Sequence, residues 1–197
     1  MLRTADKLTL QPLSPNMRSL NLAIALFASC TLAVSQPTFT LRSADVGGQA
    51  TMDQVFNGFG CTGANRSPQL AWSNAPEGTK SFAITMYDPD APTGSGWWHW
   101  VVFDLPSSTK ELLSGAGSSG STELPVGAIQ SLTDFGGVGY GGPCPPPGHG
   151  PHRYIITIHA LDVEKLGLDA KAGAPMVGFN LNQHTLAKAS ILFYYGR

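Results

Sequence analysis

The sequence predicts a mostly β protein with largely antiparallel sheets, and three observations carry this. Runs rich in β-branched and aromatic residues alternate with irregular stretches built from 23 glycines and 15 prolines in 197 residues, a composition that favours many short elements joined by turns. Helical spacing stands out in one stretch, 174–184. Successive strands are connected by loops and not by helices, as antiparallel pairing requires. With 42% hydrophobic residues, the chain has material for one domain and an ample core. A formal net charge of −1 and the lack of like-charge runs exclude nucleic acid, whose phosphates call for a basic surface.

The first segment differs from the rest. From Met17 it reads Met-Arg-Ser, then an apolar run from Leu20 to Val34, then small residues up to Ser35. This is the order of a secretory signal peptide, expected over residues 1–35 with the true start at Met17. The run is about 15 residues, short of the roughly 20 that span a bilayer, so no transmembrane segment is expected. Export points to a periplasmic or secreted protein; the alternative is a lipid anchor on Cys30. Cleavage after Ser35 leaves Cys61 and Cys144 as the remaining cysteines. An even count in an oxidising compartment permits a disulfide, although spacing alone does not bring two thiols together.

Along the domain, 36–197, Phe39 to Ser43 reads as a first strand, 56–68 as loop, and Leu70-Ala71-Trp72 as a strand followed by a turn over Pro76 to Thr79. Ser81 to Asp88 and Trp98 to Leu105 are stronger strands. The second is apolar on both faces, as in the middle of a sheet, and alternation puts His99 with Val101 and Phe103, opposite Trp98, Trp100 and Val102. After a glycine-rich loop over 115–121 and a longer one over 135–151 comes His152 to Leu161. On that strand, a period of two sets His152 and Tyr154 on one face with Ile156 and Ile158, and Arg153 and His159 on the other. The helix over 174–184 follows, then a closing strand in which Ala187, Ala189, Ile191, Phe193 and Tyr195 alternate with Lys188, Ser190, Leu192 and Tyr194.

Candidate chemistry centres on Asp88-Pro89-Asp90-Ala91-Pro92. Proline fixes its own φ and forces the preceding residue into extended geometry, so Asp88 is expected at the mouth of its strand, set by the backbone. A carboxylate there needs donors, and His99 and His152 are the candidates. Arg153, on the opposite face, is expected to pair with a carboxylate such as Asp90.

Asp88-Pro89-Asp90-Ala91-Pro92, Trp97-Trp98-His99-Trp100, Gly142-Pro143-Cys144-Pro145-Pro146 and His152-Arg153-Tyr154 together resemble the motif series of the phosphatidylethanolamine-binding proteins, also called Raf kinase inhibitor proteins. The likeness to the bacterial branch runs from Phe39 to the C-terminus and includes Gly58-Phe59-Gly60-Cys61 and Val177-Gly178-Phe179-Asn180. The resemblance implies an antiparallel β-sandwich, a large sheet against a smaller one, with one or two short helices and a small cavity at one end. It places Asp88, His99, His152 and Tyr154 in a ligand-binding pocket, with Trp97 and Pro146 as wall. Eukaryotic members shape that pocket with a final helix, whereas this chain ends in a strand at Tyr195-Gly196-Arg197.

Imidazolium, phenol and loop N–H groups suit phosphate, carboxylate or a phospholipid headgroup. The expectation is therefore a non-catalytic binding protein without cofactor or metal, whose partner is a small anionic or phosphorylated ligand. Binding should weaken as pH rises past about 7, where imidazolium titrates. A protein partner, kinase or protease, whose activity the chain inhibits or modulates is the alternative, and a homodimer is left open. An exported chain would not meet a cytoplasmic kinase. Two histidines and one aspartate also match a facial metal triad, a reading ranked lower.

Overall fold

A computed structural model describes residues 37–197. The signal peptide over 1–35, the start at Met17 and the anchor at Cys30 lie outside these residues. Ten strands and one helix are present among the described residues: β1 (Thr40–Arg42), β2 (Asn57–Gly58), β3 (Cys61–Thr62), β4 (Leu70–Ser73), β5 (Ser81–Asp88), β6 (Trp97–Pro106), β7 (Glu111–Leu112), β8 (Ile129–Gln130), β9 (His152–Leu161), α1 (Ala174–His184) and β10 (Thr185–Tyr195). They form a five-stranded sheet in the order β10-β9-β5-β6-β8, a three-stranded sheet β1-β4-β7 and a hairpin β2-β3. Every pairing of named strands is antiparallel. The large sheet packed on a smaller one is the expected sandwich.

The alternation in β5, β6 and β9 builds two apolar layers. On one face Phe82, Ile84, Met86, Trp100, Val102, Tyr154, Ile156 and Ile158 meet Leu41, Leu70 and Trp72 of the small sheet. On the other, Ala83, Val101 and Phe103 are covered by Val177 and Leu181 of α1. Burying each of these large side chains contributes about 1.5–3 kcal/mol. Pro175 stands in the first turn of α1, where its missing N–H costs no hydrogen bond. β10 is an edge strand whose residues alternate between half-buried and exposed, so its pattern is the cleanest in the chain.

β6 is buried and interior to the sheet, as expected: it lies between β5 and the two-residue β8, and beyond β8 its edge is closed by a loop that donates from Ser131, Asp134 and Gly141 N–H to the Val101, Trp98 and His99 carbonyls. One sequence expectation needs correcting, the facing of His99. Met86 pairs with Trp100 and Tyr87 with Trp98, so His99 is the extra residue of a β-bulge. A bulge breaks the period of two, and it turns His99 toward Tyr154 at a ring-centroid distance of 5.1 Å while Val101 and Phe103 stay under the helix. A bulge at a strand's end needs no signal in residue type, and the alternation cannot reveal it. The 56–68 loop also contains the small β2-β3 hairpin.

Candidate ligand-binding site

Asp88 ends β5 immediately before Pro89, 3% exposed. Both of its oxygens are occupied: Oδ1 accepts from the Asp90 N–H at 2.8 Å, and Oδ2 from His152 Nδ1 at 2.8 Å. The carboxylate therefore orients His152 and closes the Asp-Pro-Asp turn upon itself. Asp90 reaches in the other direction. Its Oδ2 accepts from the Arg153 N–H and Nε at 2.8 and 2.9 Å, and Oδ1 from Arg153 Nη2 at 2.6 Å. The Arg153 side chain holds the Asp90 carboxyl down to about 2. This fork joins the end of β5 to the start of β9 and sets His152 opposite Asp88. Arg153 takes no part in the cavity.

His99 is fixed from a third direction. Its Nδ1 donates to the Gly141 carbonyl at 2.7 Å, and its own carbonyl accepts from the Gly141 N–H at 2.9 Å. A carbonyl has no proton to give, so Nδ1 carries the hydrogen and Nε2 is the acceptor. Burial drives the His99 pKa down to about 4, against the expectation of an imidazolium at neutral pH: loss of hydration outweighs the attraction of Asp88. Tyr154 is fully buried, and its hydroxyl has no hydrogen-bond partner among the described residues. Burial pushes its pKa far above the ordinary phenol value, so it stays a neutral donor.

Asp88, His99, His152, Tyr154, Trp97 and Pro146 all line one cavity of about 150 Å³. The structure also places residues there that sequence reasoning passed over. Phe59 and Phe135 form an aromatic wall, with ring centroids 5.8 Å apart and Phe135 edge-on to Trp97 at 5.5 Å. Phe59 is 67% exposed at the cavity mouth and takes a positive φ of 50° at the tip of the β2-β3 hairpin. Cys61 and Cys144 are bonded, with Cα atoms 6.1 Å apart, which ties that hairpin to the proline-rich loop. Arg197 holds the same two loops, donating from Nε to the Pro145 carbonyl at 2.7 Å and from Nη1 to the Gly60 carbonyl at 2.9 Å.

Asn65 is a hidden clamp. Its Oδ1 accepts from the Gly142 N–H at 2.8 Å and its Nδ2 donates to the Tyr140 carbonyl at 3.2 Å, so it presents to His99 the peptide that fixes the ring. Gly142 has no room for a side chain, since a Cβ would stand 1.9 Å from the Gln54 carbonyl oxygen. His149, exposed in the loop after Pro147, stands with Nδ1 3.2 Å from His152 Nε2. The spacing His149-Gly150-Pro151-His152 was the available signal. Among the described residues, no three His, Cys, Asp or Glu side chains are grouped to hold a metal ion.

Fold and site together define a two-sheet β protein with one small cavity, floored by polar groups and walled by aromatic rings. The family model described as phosphatidylethanolamine-binding protein matches residues 43–196, and the chain belongs to that family. Escherichia coli YbcL is 46% identical over 172 residues, 86% of this chain and 94% of that protein. Escherichia coli YbhB is 58% identical over 137 residues, 70% of this chain and 85% of that protein. The crystal structure of YbcL, described as a new member of the mammalian PEBP family, superposes with a TM-score of 0.80 at 48% identity, over 82% of this chain and 99% of that one. A Mycobacterium tuberculosis protein named as a lipoprotein, LppC, is 38% identical over 105 residues, 53% of this chain and 48% of that protein. No helix among the described residues is long and apolar enough to cross a membrane.

Proposed function

We propose that the protein is a non-catalytic binder of small anionic oxygen groups, phosphate-type above all, held in this cavity. The observation that carries the reading is the meeting of Asp88, His99, His152 and Tyr154 from three strands around one space, with a buried Tyr154 hydroxyl that has no partner among the described residues. Tyr154 donates to the ligand. His99, neutral with a free Nε2, accepts a hydrogen from a protonated phosphate or takes up a proton as the anion enters. Asp88 and the Gly141 carbonyl each spend their contacts on holding an imidazole ring, which favours a fixed receptor over a reacting centre. The aromatic wall suits an apolar group esterified to the anion. Docking of the same mouth on a protein partner is the second reading, favoured by the exposed Phe59.

Calorimetric titration with inorganic phosphate and with sulfate from pH 5.5 to 8.5 tests this. Phosphate should bind, more weakly as pH rises, because the proton that joins His99 or the ligand becomes scarcer. Sulfate, which holds no proton in this range, should bind at least tenfold more weakly at pH 7. Absence of saturable phosphate binding, or an affinity flat across the range, refutes the reading.

We also propose that the chain is exported, on the basic-apolar-small order of residues 17–35. The lipoprotein name of LppC supports the alternative anchored through Cys30. The mass of the mature protein distinguishes an N-terminus at Gln36 from an acylated Cys30.

A further inference from the structure

We propose that His149 and His152 form a two-histidine chelate for a borderline divalent cation such as zinc at the edge of the cavity, with Asp88 orienting His152 from behind. His152 donates Nδ1–H to Asp88 Oδ2 at 2.8 Å, which leaves Nε2 as the nitrogen whose lone pair the neutral ring offers. That nitrogen faces His149 Nδ1 at 3.2 Å. At this separation the two nitrogens share one proton in a hydrogen bond, and a metal ion that displaces that proton would take a lone pair from each. Two imidazole nitrogens on a tetrahedral zinc, each about 2.0–2.1 Å from it, stand roughly 3.3–3.4 Å apart. The observed separation needs almost no movement to reach that value.

The surroundings are those of a ligating histidine. A metal-bound imidazole characteristically gives its remaining N–H to a carboxylate, which fixes the ring and raises its basicity. Asp88 does this from a buried position, itself held by the Asp90 N–H at 2.8 Å. His149 is positioned by backbone: Gly148 and Gly150 take φ of 75° and 83°, the His149 N–H donates to the Pro146 carbonyl at 3.2 Å, and Pro151 follows. Because His149 is exposed, an ion reaches the pair from solvent and the displaced proton leaves the same way. The chain supplies two ligands, so the remaining positions belong to water or to an anion oxygen from the cavity that His152 lines. Imidazole pairs favour zinc, cobalt, nickel and copper over magnesium and calcium. A cation here would also bring the cavity the positive charge that neutral His99 does not.

The test uses the full chain without an affinity tag, titrated with Co²⁺ and followed by its visible ligand-field absorption, then with Zn²⁺ in competition. One Co²⁺ per chain is expected, displaced by Zn²⁺. His149→Ala, in an exposed loop, should lose at least tenfold in affinity with unchanged unfolding, and Asp88→Asn should lose 10–100-fold. His159→Ala and His184→Ala should bind as the wild type does. No saturable Co²⁺ uptake, or uptake that survives His149→Ala, overturns the proposal. A further measurement, phosphate affinity with and without Co²⁺, rests on the anion reading of the cavity. If metal binds and phosphate does not in either condition, the anion reading fails and the metal site stands.

Discussion

Replacing Tyr154 with phenylalanine should make the protein more stable and a poorer binder at once. The ring stays in place, stacked on Phe193 at 5.7 Å and edge-on to His99 at 5.1 Å, so the sandwich loses no packing. What goes is a hydroxyl with no partner among the described residues, a group whose burial costs about 1–3 kcal/mol. Part of that cost is offset by relaxation of the surrounding side chains, and a gain of about 1 kcal/mol is expected. For a domain of this size it corresponds to a rise in Tm of roughly 2–4 °C. The same hydroxyl is the neutral donor offered to a ligand, and a hydrogen bond to a charged acceptor is worth about 1.5–3 kcal/mol. Phosphate affinity should therefore fall about 10–100-fold. Urea unfolding and calorimetry on the two proteins decide the matter. A variant less stable than the wild type, or one that binds phosphate unchanged, refutes the reasoning.

Acid should weaken the fold through His99. Its folded pKa is near 4 against an ordinary 6.5, so as pH falls below 6.5 the unfolded chain takes the proton first. Stability is complete above that value and is lost down to about pH 4, by about 2–3 kcal/mol between pH 7 and 4.5. His159, also driven down to about 4 by burial, adds to the loss, and a His99→Gln variant that loses as much as the wild type over this range would refute the assignment. Reduction of the Cys61–Cys144 bond, which spans 83 positions in sequence, should cost about 2–4 kcal/mol in urea unfolding. It should also weaken phosphate binding by freeing the Phe59 wall; equal unfolding with and without reductant would refute the first part and unchanged affinity the second.

The parts of the site that were legible in the sequence are those set by local rules. Asp88 could be placed because proline constrains the residue before it. His152 and Tyr154 could be paired because β9 keeps its period of two without interruption over ten residues. α1 and the closing strand were readable for the same reason, a repeat sustained long enough to show which side faces inward. His99 was legible as a member of the site but not in its facing, since one extra residue in β6 reverses everything beyond it. Of the aromatic rings around the cavity, only Trp97 was placed in advance. Phe59 and Phe135 lie in glycine-rich loops with no period, 76 positions apart in the chain, and are brought together by the disulfide, Arg197 and Asn65.

The same division explains how the cavity works. The polar floor is carried by strands, whose backbone ladders hold Asp88, His99, His152 and Tyr154 in fixed relation whatever the solvent does. The wall is carried by loops joined by one covalent bond and a few side-chain hydrogen bonds. Loops of this kind open at lower free energy than core strands, so ligand entry should proceed through the Phe59 hairpin and the proline-rich loop, with the floor unmoved. The charge balance of the floor follows from its rigidity. If the cavity holds an anion, as proposed, then with His99 too deep to stay protonated at neutral pH and both Asp88 oxygens engaged it does so only together with a compensating positive charge. That charge would arrive as a proton on His99 or on the ligand, or as a cation on the proposed two-histidine site at the rim. Affinity would then depend on what accompanies the anion as much as on the anion itself.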